Sequence, residues 1–139
     1  MNTRIELLNA TERRVIRHLK RASKLLTAYQ IQNALGIRYP NTVYRALQHL
    51  LQYRFVHRIE TRNAFVACDD PGQSHRPGFI ICTECAVVEE FDIRSIVPFL
   101  RTEADKRRFS IETSTVELLG RCNQCASIVA KKQGGGIEH

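Results

Sequence analysis

Two cysteine pairs, Cys82/Cys85 and Cys122/Cys125, constrain this chain more than any other feature. Each pair has the spacing C-x2-C, and 36 residues separate them. One short knuckle aims two thiolates at one ion, and two knuckles brought together complete a tetrahedral shell. Zinc is the usual occupant of such a closed four-thiolate shell. A structural zinc would staple two distant segments, contributing ~10–16 kcal/mol in apparent free energy, comparable to the stability of a whole domain. The competing readings are two redox C-x-x-C motifs or buried core cysteines. A redox motif needs only one pair, and the second pair favours zinc.

A chain of 139 residues fits one medium domain or two small ones. Two half-length domains would each be marginal without a staple or a partner. The apolar runs near the start are short and broken by charge, unlike a signal peptide. No stretch approaches the length of a membrane span. Reduced, metal-bound thiols in the cytoplasm are the simplest expectation. The net charge of +7 is unevenly spread. Residues 1–65 hold twelve Lys/Arg against three Asp/Glu, whereas residues 66–139 hold nine against eleven. The first half therefore suits a polyanion such as nucleic acid, and the cysteine-bearing half does not.

Periodicity divides the basic half into three helices and a hairpin. Thr11 is the expected N-cap of a helix with Val15, Ile16 and Leu19 on one face. Thr27 and Gln30 make a capping-box pattern before Ile31 and Leu35, and Gly36 ends that helix. Pro40 and Asn41 open a third helix, with Val43, Leu47, Leu50 and Leu51 inward and Asn41, Tyr44, Arg45 and Gln48 outward. The runs 55–59 and 64–68, separated by a polar turn at Thr61-Arg62-Asn63, read as a β-hairpin. A hairpin after such a helix-turn-helix is a wing. The bland alternative is a small α+β domain whose third helix happens to be polar outside.

Residues 69–78 are rich in turn formers and form the expected hinge. Beyond them, Phe79-Ile80-Ile81 and Val87-Val88 read as strands flanking the first knuckle. A helix follows with Ile96, Val97 and Leu100 buried; Ser95 as N-cap would place Pro98 in the first turn, where it is tolerated. Residues 109–119 read as one long strand or two. The tail, with Gly134-Gly135-Gly136, is expected to be disordered. The expected fold is α+β: a winged-helix DNA-binding domain over 1–68, a hinge over 69–78, a small α/β dimerisation and metal-binding domain over 79–130, and a tail over 131–139.

The run Thr42-Val43-Tyr44-Arg45-Ala46-Leu47, followed by a wing and two C-x2-C pairs, resembles the ferric uptake regulator family of dimeric, metal-sensing bacterial transcription factors. The resemblance spans about Thr11 to Cys125 and is strongest to the zinc uptake regulator branch. That branch senses zinc through a His, a Cys, a His and a Glu besides the four-cysteine site. The resemblance therefore implies a structural zinc on Cys82, Cys85, Cys122 and Cys125, and a regulatory zinc on His57, Cys68, His75 and Glu90. It implies two zincs per chain, a homodimer, a double-stranded DNA operator and repression of zinc-uptake genes, with no enzymatic activity. An H-x-H cluster, usual in the iron branch, is reduced here to His75 alone. An N-terminal helix common in the family is expected to be short or absent, and Ala86 stands where a Gly often follows the knuckle.

The ligand chemistry stands independently of the resemblance. Two imidazoles, one thiolate and one carboxylate make a more exchangeable zinc site than four thiolates. On the sequence, His57 and Cys68 belong to the expected DNA-binding domain and Glu90 to the other, with His75 between. An ion taking all four donors favours one arrangement of the two halves by its differential affinity. In a dimer that arrangement sets the distance between recognition helices, which must match half-sites about one helical turn apart. Singly, each donor has an ordinary alternative: an exposed wing His, a buried small thiol, a solvated loop His or edge Glu. For DNA, Arg45 is the expected guanine contact. Asn41, Thr42, Tyr44 and Gln48 share its helix, and Arg13, Arg14, Arg58 and Arg62 are expected on phosphates. Three further readings remain: an iron or peroxide sensor of the same family; in another class, a thiol redox protein, which would need a metal-free cysteine of low pKa; and a plain zinc-ribbon interaction module, which would ignore metal added to the second site.

Overall fold

The computed structural model describes residues 2–68 and 77–132. The chain divides into two compact units, Met1–Ser74 and His75–His139. Most of the expected hinge (residues 69–76) and residues 133–139 of the expected tail lie outside the described residues. Pro77 and Gly78, assigned to the hinge from sequence, begin a strand, and Lys131 and Lys132 end a helix.

The first unit opens with a short 3-10 helix over Asn2–Leu7, followed by α1 (Ala10–Ala22). The N-cap of α1 is Asn9 instead of Thr11. Asn9 and Glu12 form a reciprocal capping box, which satisfies two orphan donors where Thr11 would satisfy one. Helix α2 (Ala28–Leu35) starts at the expected Thr27–Gln30 box and stops at Gly36 in the left-handed conformation, φ 64°. Helix α3 (Pro40–Gln52) has Pro40 at its first turn, where a missing N–H costs nothing.

Strands β1 (Val56–Ile59) and β2 (Ala64–Ala67) pair antiparallel to form the wing, with His57 opposite Val66. Leu26, between α1 and α2, bridges to Phe65 and joins the hairpin to the helices. Val15, Leu19, Ile31, Val43, Leu47 and Leu50 are fully buried in one shared core, which Phe55, Val56 and Phe65 close from the wing side. The apolar residues recur at helical spacing in the three helices, so each buries one face and leaves the other in solvent.

The second unit is a three-stranded sheet in the order β4-β3-β5. Strand β3 (Pro77–Cys82) pairs antiparallel with β4 (Val88–Asp92) and parallel with β5 (Glu117–Gly120). Gly78 is required at its place: a Cβ there would meet the Phe91 ring at 2.6 Å and Ile93 at 2.7 Å. Three sequence expectations change here. The first concerns α4 (Val97–Lys106), which has Ile96 at its N-cap without a side-chain cap. Ile96 is exposed and Val97 and Leu100 are only half-buried, so the apolar face of α4 is not covered within the unit. The second is the long strand over 109–119, which shrinks to β5. It begins where β3 offers a partner, Glu117 facing Phe79; the Val116 carbonyl still accepts the Phe79 N–H at 2.9 Å, and residues 109–115 pair with no strand of the sheet. The third is a helix the periodicity did not suggest, α5 (Asn123–Lys132), which carries Cys125 in its first turn.

Candidate metal and nucleic-acid sites

The β3–β4 hairpin carries the first knuckle. Strand β5 runs parallel to β3 and puts Gly120 beside Cys82. Thr83 locks that junction, donating from its backbone N–H and its hydroxyl to the Gly120 carbonyl at 2.7 and 3.1 Å. The chain then turns through Cys122 into α5, whose first turn begins with an Ala126 N–H to Cys122 carbonyl bond of 2.8 Å. The outcome is that Cys82, Cys85, Cys122 and Cys125 bring their Sγ atoms within 4.8 Å of one another. Cys85 Sγ and Cys122 Sγ are 3.9 Å apart.

The cluster is electrostatically arranged around Cys82. Its sulfur accepts the backbone N–H of Cys122 at 3.3 Å and of Cys85 at 3.5 Å. These donors, the Cys122 N–H first, hold the Cys82 thiol down to about 6. Cys125 is pushed up to about 12, chiefly by its contact with Cys122 and then Cys82. Four adjacent sulfurs do not ionise together without a cation to offset their repulsion. A compact set of four soft donors with one thiolate already favoured fits zinc.

In the first unit, His57 sits on β1 and Cys68 just past β2. Because His57 pairs with Val66, Cys68 lies on the same face of the hairpin two residues on. A ring nitrogen of His57 and the sulfur of Cys68 lie within 4.8 Å of each other. Cys68 is buried, at 2 % exposure, and His57 is half-buried. In the second unit, Glu90 on β4 pairs with Phe79, on the sheet face of Phe79 and Ile81, and is half-buried. His75 lies outside the described residues.

The outer face of α3 presents Asn41, Thr42, Tyr44, Arg45 and Gln48, all exposed. Arg62 is exposed at the wing turn. Three of the other arginines have roles within the unit. Arg13 donates to the carbonyls of Ile5 and Glu6, holding the 3-10 helix against α1. Arg14 donates to the Leu35 carbonyl at the end of α2, at 2.7 Å. Arg58 donates to Asn63 Oδ1 across the wing turn at 2.8 Å. A guanidinium has five N–H donors, so these bonds leave others for a phosphate. The sequence reading passed over two exposed aromatics near this face, Tyr29 on α2 and Tyr39 before α3. Arg38 stacks on Tyr39, 5.4 Å from its ring centre. The adjacent pair Arg38-Tyr39 was the one signal the sequence held for them. No helix among the described residues is long and apolar enough to cross a membrane.

Residues 7–119 match the ferric uptake regulator family. The zinc uptake regulation protein of Escherichia coli (strain K12) is 33% identical over 103 residues, which cover 72% of this chain and 59% of that protein. The chain thus spans under two thirds of the length of that curated relative. Among solved structures, holo XcZur is similar with a TM-score of 0.77 and 35% identity, covering 86% of both chains. A zinc uptake regulator complexed with zinc and DNA is similar with a TM-score of 0.77 and 29% identity, covering 88% of this chain and 85% of that one.

Proposed function

The chain belongs to the ferric uptake regulator family, and from that premise we propose that it is a zinc-responsive, DNA-binding transcriptional repressor, acting on zinc-uptake genes. The observation that carries the proposal is the likeness, over 88% of the chain, to a zinc uptake regulator complexed with zinc and DNA. In this reading Cys82, Cys85, Cys122 and Cys125 hold a structural zinc, which supplies the charge that lets all four sulfurs ionise. His57, Cys68, His75 and Glu90 hold a second, regulatory zinc. The nearness of His57 to Cys68 on one face of the wing supports half of that ligand set. A zinc with donors from both halves of the sequence restricts their relative arrangement, and so makes DNA binding depend on zinc.

On DNA, Arg45 reads a guanine in the major groove, with Asn41, Thr42, Tyr44 and Gln48 beside it on α3. Arg13, Arg14, Arg58 and Arg62 set affinity through phosphates. The active form is a homodimer. The apolar side chains that the second unit leaves exposed, Ile80, Ile96, Phe99, Leu118, Leu119 and Ile128, support an interface there.

The test is elemental zinc analysis before and after mild chelation, with binding to a DNA duplex selected from a random pool measured on the same samples. Two zincs per chain falling to one, with DNA binding lost and then restored by zinc, is the expected result. One zinc throughout, with DNA binding indifferent to the chelator, refutes the regulatory site. A Cys68→Ala protein should remain a folded dimer whose DNA binding no longer follows zinc.

A further inference from the structure

Glu12 is the one charged side chain in the core of the first unit among the described residues, at 4 % exposure. Its carboxylate is held by three donors. Oε1 accepts the Asn9 backbone N–H at 3.0 Å, and Oε2 accepts the Asn9 side-chain amide at 3.1 Å. The third is His49 Nδ1, 2.8 Å from Oε2. An ionised carboxylate only accepts, so His49 donates Nδ1–H in either its neutral or its charged form. The first two bonds are local to the start of α1. The third reaches 37 residues along the chain to α3. The ring of Tyr53 meets His49 edge-on at 4.9 Å and orients the imidazole.

Apolar packing between helices is non-directional, and helix crossing angles within one packing class scatter by about 15–20°. A roll of about 20° moves an atom about 6 Å from a helix axis by about 2 Å. That displacement is enough to break a bidentate hydrogen bond to a base edge. His49 lies one turn beyond Arg45, on the same side of α3. We propose that the buried Glu12–His49 bond is a positioning contact that fixes the roll of α3 against α1, and with it the aim of Arg45. The proposal rests on reading α3 as the recognition helix. Val43, Ala46, Leu47 and Leu50 anchor α3 to the core, and the Glu12 carboxylate selects its angle.

The experiment uses the full, zinc-loaded chain with His49→Leu, which removes the donor, and His49→Asn, whose amide nitrogen takes the place of Nδ1. Glu12→Gln provides a second route, because Gln preserves the capping box while replacing one acceptor oxygen. Affinity is measured for a duplex selected from a random pool and for a scrambled duplex, across salt concentrations. His49→Leu and Glu12→Gln should lose about tenfold of the preference for the selected duplex. Affinity for the scrambled duplex and its salt slope should hold, and His49→Asn should restore the preference.

Residual dipolar couplings on the DNA-free proteins give the orientation of α3 relative to α1, its roll included. It should change in His49→Leu and return in His49→Asn. A merely stabilising contact would lower the unfolding midpoint and leave both the preference and the orientation alone, which overturns the proposal. If the wild-type chain prefers no duplex, the DNA-binding reading fails on that count, and the couplings decide the Glu12–His49 contact by themselves.

Discussion

Ala86 sits in the left-handed conformation, φ 66°, immediately after the first knuckle, and its N–H bonds back to the Cys82 carbonyl at 3.0 Å. A Cβ in that region costs roughly 1–2 kcal/mol, and a glycine returns about 0.5–1 of it as lost chain entropy. Ala86→Gly should therefore raise the stability of the second unit by about 0.5–1 kcal/mol, read as a higher urea midpoint. A lower midpoint would mean that the alanine methyl packs usefully. The cluster residues predict a pH profile for the metal-free, reduced protein. Cys82 is depressed to about 6, so its stabilisation is present above the ordinary thiol value of 9.0 and fades as pH falls toward 6. Cys125 is raised to about 12, so its stabilisation is present below 9.0 and fades as pH climbs toward 12. The combined contribution of these two thiols should be largest near pH 9. Cys125→Ser should flatten the alkaline side, and Cys82→Ser the acid side while weakening the alkaline one, since Cys82 also helps raise Cys125, in denaturation curves taken with chelator and reductant.

Among elements, β3 depends on the pairing of Gly78 with Phe91 across the β3–β4 ladder. The Phe91 ring occupies the space a side chain would need. Gly78→Ala should cost about 1–3 kcal/mol by overpacking, lowering the thermal midpoint of the second unit. Adding Phe91→Leu should recover part of the loss. This strand also shows what the sequence could reveal. The three helices and the wing were legible because each carries its own period and its own cap, as in Thr27–Gln30 and the run Val43-Leu47-Leu50. Even there, Asn9 displaced Thr11 because a reciprocal pair outcompetes a single cap. The second unit was less legible because its order is set by partners distant in sequence. Residues 109–115 have strand-like composition but no ladder to join, and α5 was hidden because the chain around Cys125 shows only a weak apolar stripe. The four-cysteine cluster was legible from spacing alone. The Glu12–His49 contact was not, since nothing local links two residues on different helices.

At the scale of the whole molecule, the two units have different sources of stability. The first buries an extensive apolar core of its own. The second has a small sheet, an α4 with no buried residue, and the four-cysteine cluster. A strong chelator under reducing conditions should therefore lower the stability of the second unit and spare the first. Hydrogen exchange would show it: amides of α1, α3 and the wing keep their protection, while those of β3, β4 and β5 exchange faster. Protection lost equally in both units would mean that the first unit borrows its stability from the second.

The parallel pairing of β3 with β5 has a consequence for how the protein is made. Cys85 and Cys122 are 37 residues apart, and a ribosome adds about 5–20 residues per second. The first knuckle therefore waits roughly two to seven seconds for its partners. During that interval a nascent chain exposes two bare thiols and an unpaired strand edge. A newborn molecule is thus open to oxidation, or to capture by another chain, at a place that β5 and the second knuckle later occupy.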